Sequence, residues 1–365
     1  MRTSLQIVLA ASLWLPALHS AGAADLVAQV DVRTTASSNV FLDKSEEWDL
    51  VLRPSAELGV DFARYWSLGY TGELNAYTRH ADLLSHWHEV YLFLNPAWGD
   101  ESENEVVVEA SLQTLRNQDY YQDLNLLQPG LTAKLIMEPS RWLRWKLSAS
   151  GVYRFFYDDK PSDSLDAWAR GEITFTLPTR TTVSPRVSYG NRNYLHSGKS
   201  GDGRDQQIGA GLHVSQSLSR TSGLQFDYLY LHAVDDSGIL SRKLTLDQFT
   251  YLGEEFLYSG HRALVGYKQL VGKSSAFWLG VRIEQRDYAG WPAIDSTGRL
   301  TGENRSDWRL APRVAFEYNW WPKNKTCCVP DVRVGLEYRL LRQWSNHDWY
   351  DTTAHVAGVS VWGSW

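Results

Sequence analysis

Histidines and acids gather at two places in this chain where they could do chemistry. His80, Asp82, His86 and His88 fall within nine residues, and His347, Asp348 and His355 within another nine. Joined by a serine, either set has the makings of an acyl-transfer site, where an imidazole takes the hydroxyl proton and an acid orients it. On an extended chain, His86-Trp87-His88 sets two imidazoles on one face, a geometry that also suits a metal. No Gly-x-Ser-x-Gly elbow occurs, and no paired His-Glu metalloprotease motif. Solvated loop histidines are the ordinary reading, so we expect neither catalysis, nor a metal, nor a cofactor. The two cysteines, Cys327 and Cys328, stand side by side before Val329-Pro330. Adjacent cysteines bridge only with strained geometry. The pair reads as a turn feature or as a redox or partner-linking site.

Aromatics offer a second kind of chemistry. Trp87, Tyr120, Tyr121, Trp291, Trp344, Trp349 and Tyr350 lie in or beside polar connections, where they could stack on sugar rings. The competing reading is an aromatic belt at a membrane surface.

The elements that must position these residues are strands. From Trp48 to Phe62 every second residue is apolar or proline: Trp48, Leu50, Leu52, Pro54, Ala56, Leu58, Val60, Phe62. Asp49, Arg53, Glu57 and Asp61 stand on the other face. A period of two over fifteen residues is a strand signal. Aromatic ends and mid-strand charges suit a transmembrane barrel, whose apolar face meets lipid while its polar face lines a wet lumen. The beat returns about every twenty residues, most clearly from Leu143 to Phe155. Pro54, Pro96, Pro129, Pro185 and Pro312 fall on outward positions, where each needs a bulge or a strand end because proline has no ladder donor.

Composition is compatible with this. Met1–Ala24 reads as a secretory signal, with Arg2, an apolar run from Ile7 to Leu18, and small residues at Ala21-Gly22-Ala23. No later run is long and apolar enough for a spanning helix. Residues 25–365 show no linker and no compositional shift, so one domain is expected. The mean hydropathy of −0.36 suggests a soluble protein, yet only half of each barrel strand needs to be apolar. The net charge of −6 argues against a nucleic-acid partner, which requires a basic face.

The connections alternate in length. Short ones are 63–66, 99–104, 138–142, 178–180, 218–222, 272–275 and 321–330. Long, charged ones are 37–47, 78–86, 117–125, 157–165, 191–205, 234–258, 288–307 and 344–354. Seven turns and eight loops join sixteen strands, an even number as an up-and-down antiparallel barrel requires. Segment 244–258 also has strand character. We place it in the sixth loop, since an odd count is forbidden; eighteen strands is the alternative.

Alternation then assigns the lumen. Asp31, Asp49, Glu57, Asp61, Glu73, Glu89 and Glu109 come from the first five strands, with only Arg33 and Arg53 as bases. Lys134, Arg144, Lys146, Arg154, Arg170, Arg186, Arg282, Arg286, Arg309, Arg313, Arg333 and Arg339 come from later ones, against Glu172, Asp227, Glu284, Glu317 and Glu337. An acidic arc facing a basic arc would set a field across a channel.

The ending, Val359-Ser-Val-Trp-Gly-Ser-Trp365, resembles the last strand of bacterial outer-membrane β-barrels. That resemblance implies an outer-membrane location, contact with its lipid, and recognition of Trp365 by the barrel-insertion machinery. Ser38-Asn-Val-Phe-Leu-Asp43, ahead of Trp48-Asp-Leu-Val-Leu, looks like the first loop of barrels associated with exopolysaccharide export. It implies a charge-lined pore for polar solutes, saccharides favoured, without enzymatic chemistry. The alternatives are a structural barrel anchoring an envelope machine through periplasmic partners, and a hydrolase at the rim.

Overall fold

A computed structural model describes residues 25–99, 104–195, 204–236, 258–320 and 331–364. The signal segment, most of 244–258, Cys327, Cys328 and Trp365 lie outside the described residues. Sixteen long strands follow one another: β1 (Asp25–Ser37), β2 (Asp49–Ala63), β3 (Trp66–Tyr77), β4 (Ser85–Leu94), β5 (Asn104–Asn117), β6 (Leu126–Ser140), β7 (Leu143–Phe156) and β8 (Ser164–Thr176). The second half comprises β9 (Thr181–Tyr194), β10 (Arg204–Ser217), β11 (Ser222–Asp236), β12 (Ser259–Val271), β13 (Ser275–Ile294), β14 (Leu300–Trp320), β15 (Asp331–Ser345) and β16 (Thr352–Ser364). Each pairs antiparallel with its sequence neighbours, and β1 also pairs with β16 from Gln29↔Ser364 to Ser37↔Val356. The ring is closed, so no sheet edge is left to be satisfied.

The exterior is apolar and the interior polar. On β7 the Leu147 side is 55% exposed while Ser148 and Ser150 are each 9% exposed. Leu68, Val90, Leu112, Leu131, Val187, Leu279, Leu336 and Val359 continue the exposed band around the ring. A soluble protein rarely shows so large an apolar surface; lipid covers it in a membrane barrel. Exposed Trp66, Trp142, Trp145 and Trp320 mark the end with the short turns, and Trp48, Trp308 and Trp344 the end with the long loops.

Two expectations are corrected. Residues 288–307 are not a long loop. β13 and β14 run on past their neighbours and meet in a tight turn at 295–299, where Asp295 Oδ1 accepts from the backbone N–H groups of Thr297 and Arg299. Their Gly, Pro, Ser and Asp content reads as loop, and register shifts at Pro292 and Ile294 absorb it. Nor do the prolines all need a bulge or an end. Pro54, Pro129, Pro185 and Pro312 hold register on both flanks, and each drops rungs towards one neighbour only. Towards the other neighbour the ladder is intact, as in Val32↔Pro54 and Val281↔Pro312. An antiparallel residue directs its N–H and C=O to the same neighbour, so the loss is confined to one side. Pro96 does sit at a strand end, just beyond Leu94.

Candidate functional site

At the external end the loops fold into the barrel. Residues 38–48 turn inward, with Asn39 donating to the Asp43 carbonyl at 2.6 Å and Leu42 and Glu46 at positive φ. Val40 and Phe41 are buried with Val51, Tyr77, Leu83, Leu115, Tyr121, Leu124, Leu126 and Phe156, and Trp87 packs against them. Trp87 and Tyr121 are therefore neither belt nor sugar platform; they are the core of a plug. Burial of this apolar set, at about 25 cal/mol per Å² removed from water, holds the loop down.

A second plug stands on β13–β15. Arg305 and Asp307 are fully buried, with Arg305 Nε donating to Asp307 Oδ1 at 3.0 Å. The Arg305 guanidinium lies 3.4 Å from the Tyr350 ring centre and 4.4–4.6 Å from those of Tyr288 and Trp291. Cation–π attraction of this kind is strongest when desolvated. Lys44 of the first loop pairs with Asp348 of the last, tying the two plugs together. Trp344 and Trp349 remain exposed.

The candidate histidines do not converge. His80 lies between Asp49 at Nδ1 (2.8 Å) and Glu47 at Nε2 (2.6 Å), so neither nitrogen is left for a serine. Burial draws its pKa down, but the hydrogen bonds and charges of Glu47 and Asp49 outweigh this and raise it. His86 Nδ1 is 3.0 Å from His88 Nε2, and His88 Nδ1 is 2.7 Å from the Tyr70 hydroxyl, all on the outer face. His347 stacks edge-on to Tyr350, its pKa lowered by burial and by Arg305. His355 meets the Tyr338 hydroxyl at 2.8 Å. Among the described residues no three metal-ligating side chains come together.

Below the plugs lies a cavity of about 800 Å³. Its wall is made by β13–β15 with β1 and β2. Arg282, Arg309 and Arg313 line it as part of the sequence-derived basic arc, joined by Arg33, Arg53, Arg286 and Arg339. Asp43, Glu284, Glu317 and Glu337 are the carboxylates. Trp278, Phe41 and Tyr350 add aromatic surface. Trp278 lies flat over Gly280, where an added Cβ would meet its ring at 2.2 Å. Alternation along Phe277–Ile283 already puts Trp278 on the same face as Arg282.

The remaining basic groups lie elsewhere. Arg144 pairs with Glu138 at 3.1 Å near the turn end, Arg170 with Glu172 at 2.8 Å, and Arg186 with Asp227 at 2.6 Å. Lys146 stands opposite Glu172. Arg333 donates to Asn319 at 2.9 Å. Of the acidic group, Asp49 is fully buried, accepting from Thr78 Oγ1 and the backbone of Arg79 and His80; it caps a loop and lines no open wall. Glu57 accepts from Tyr91 at 2.8 Å and Glu89 from Gln113 at 2.7 Å. Glu73 is on β3 opposite Ser55, and Glu109 on β5 opposite Thr132. In ring order the acidic strands β2–β5 are followed by the basic strands β6–β9, and the basic strands β13–β15 lie beyond β1 and β16 on the other side.

A closed ring, a lipid-ready exterior and a polar interior define an outer-membrane β-barrel. Solved structures agree on the fold. Acinetobacter baumannii OccAB1 aligns at TM-score 0.56 and 8% identity, covering 94% of this chain and 96% of that one. Pseudomonas aeruginosa OpdK, solved with vanillate, aligns at 0.53 and 9%, covering 93% and 99%. A bacterial polysaccharide outer membrane secretin aligns at 0.52 and 9%, covering 93% and 97%. No protein-family model matches the chain, and no curated protein matches it either.

Proposed function

We propose that this barrel is a pore for polar solutes, with saccharides the favoured cargo. The observation that carries the reading is the polar cavity of about 800 Å³ inside a closed ring with an apolar exterior. Pockets of roughly 300–1,000 Å³ suit small ligands, and Trp278, Phe41 and Tyr350 offer rings on which sugars stack. Selection comes from the narrowed external mouth and from the charged wall, with no covalent step. The fold is shared with a polysaccharide secretin. Insertion machinery reading the terminal aromatic, and periplasmic partners delivering cargo, belong to the same proposal.

Planar-bilayer conductance of the refolded protein tests it. Discrete single-channel steps that fall when a neutral oligosaccharide is added are expected; a folded barrel without steps overturns the pore. A second reading, a structural barrel anchoring an envelope machine, is favoured by the two tied plugs, and a silent but folded barrel would select it.

A further inference from the structure

Two like-charged pairs stand directly opposite one another across strands of the cavity wall. Arg33 is the register partner of Arg53 on β1–β2, and Arg313 that of Arg339 on β14–β15. Like charges so placed repel and destabilise a sheet. Local carboxylates offset only part of this. Arg313 donates to Glu337 at 2.6 Å, Arg286 to Glu284 at 3.0 Å, and Arg33 lies 3.5 Å from Asp31. Arg282 and Arg339 have no carboxylate within ion-pair distance among the described residues. The Nε–H groups of Arg313 and Arg339 are shut off from solvent without an acceptor. Seven arginines line this cavity against four carboxylates, and with Asp31 beside Arg33 and Asp307 beside Arg309 counted the positive charge still exceeds the negative by one.

We infer that the cavity is a binding site for a multiply charged oxyanion, an acidic saccharide or a small polycarboxylate, held by Arg282, Arg313, Arg339, Arg33 and Arg53. Guanidinium forks match carboxylate oxygens two at a time, and an anion between the opposed pairs converts their repulsion into attraction. The aromatic ring of Trp278, 5.0 Å from the Arg313 guanidinium, gives such a solute a flat face beside the charges. The inference rests on the proposed pore for its biological meaning, since it names the class of cargo.

The test is calorimetric titration of the purified full chain in detergent with trigalacturonate, maltotriose and citrate. Trigalacturonate should bind at least tenfold more tightly than maltotriose. Its affinity should fall at least tenfold in the Arg282→Gln/Arg339→Gln double variant, and in 1 M salt, where the Debye length is about 3 Å. Arg299→Gln, in the external hairpin turn, should leave binding unchanged. Heat-modifiability on a gel confirms that the double variant is folded; if it is not, Arg282→Gln alone is used. Citrate binding as tightly as trigalacturonate assigns the site to small polycarboxylates, and weaker binding assigns it to acidic saccharides. Equal binding of trigalacturonate and maltotriose, or of wild type and a folded variant, overturns the site. Conductance separates this from the pore: a conducting barrel indifferent to trigalacturonate overturns the site alone, and binding without conductance overturns the pore alone.

Discussion

Side-chain facing is decided one residue at a time. Leu147 and Ser148 are chain neighbours, yet one meets lipid and the other the lumen. Leu147→Arg puts a cation into the bilayer and should cost about 2–4 kcal/mol of barrel stability. Ser148→Glu places its charge between Lys134 and Arg170, and should fold as well as wild type. Urea titration in lipid vesicles reads both; equal losses would reverse the facing assignment. Gly280→Ala makes the same point inside the barrel. The new methyl meets the far end of the Trp278 ring, which can swing away. We expect a folded barrel with the indole displaced into the cavity and a lower single-channel conductance.

At the scale of elements, the inward loops are held by groups that respond differently. The first loop depends on His80 between Glu47 and Asp49, with Thr78 donating to Asp49 and Phe41 edge-on to the imidazole. A folded-state pKa above the ordinary 6.5 means this stabilisation is fully present below about 6.5 and is lost as pH rises through the raised value. Hydrogen exchange in residues 38–48 should therefore open above the control set by base catalysis as pH goes from 6 to 9. In His80→Gln that excess should vanish. The second plug depends on a buried ion pair. Arg305→Met removes the close partner of buried Asp307, leaving it Arg309 at 3.9 Å and the Gln343 amide, and should destabilise by roughly 3 kcal/mol, the low end for a broken buried pair. Adding Asp307→Leu should recover much of the loss, because the uncompensated charge is then gone; denaturant midpoints of the two variants decide it.

For the whole molecule, closure and plugging act together. The ring leaves no free edge, and Lys44–Asp348 ties the first external loop to the last, whose strands adjoin where β16 closes on β1. Lys44→Ala should loosen the mouth without touching the ladder. Barrel stability on a heated gel should stay constant while conductance or its open fraction rises. An unchanged conductance would mean that the plugs are held by their apolar cores alone.

Much of this was legible from the chain itself. A period of two needs only local pattern, so strand number, alternating connections and the lipid face at Leu147 or Leu68 follow from residue order. The inward face of a charged position follows from the same pattern, but not whether it lines an open wall, as buried Asp49 shows. Three things do not. The long β13–β14 hairpin reads as loop, because glycine and proline signal turns locally and only pairing along the partner strand overrides them. Loop residues such as Phe41, Tyr121 and Tyr350 have no period, so nothing local says that they fold inward. Above all, which arginines share a cavity depends on cross-strand register and on the closing of β16 against β1. Arg33 and Arg339 are about three hundred residues apart in the chain and come together only because the ring closes. Charge at a position is a property of sequence; the excess of charge in a cavity is a property of the tertiary fold.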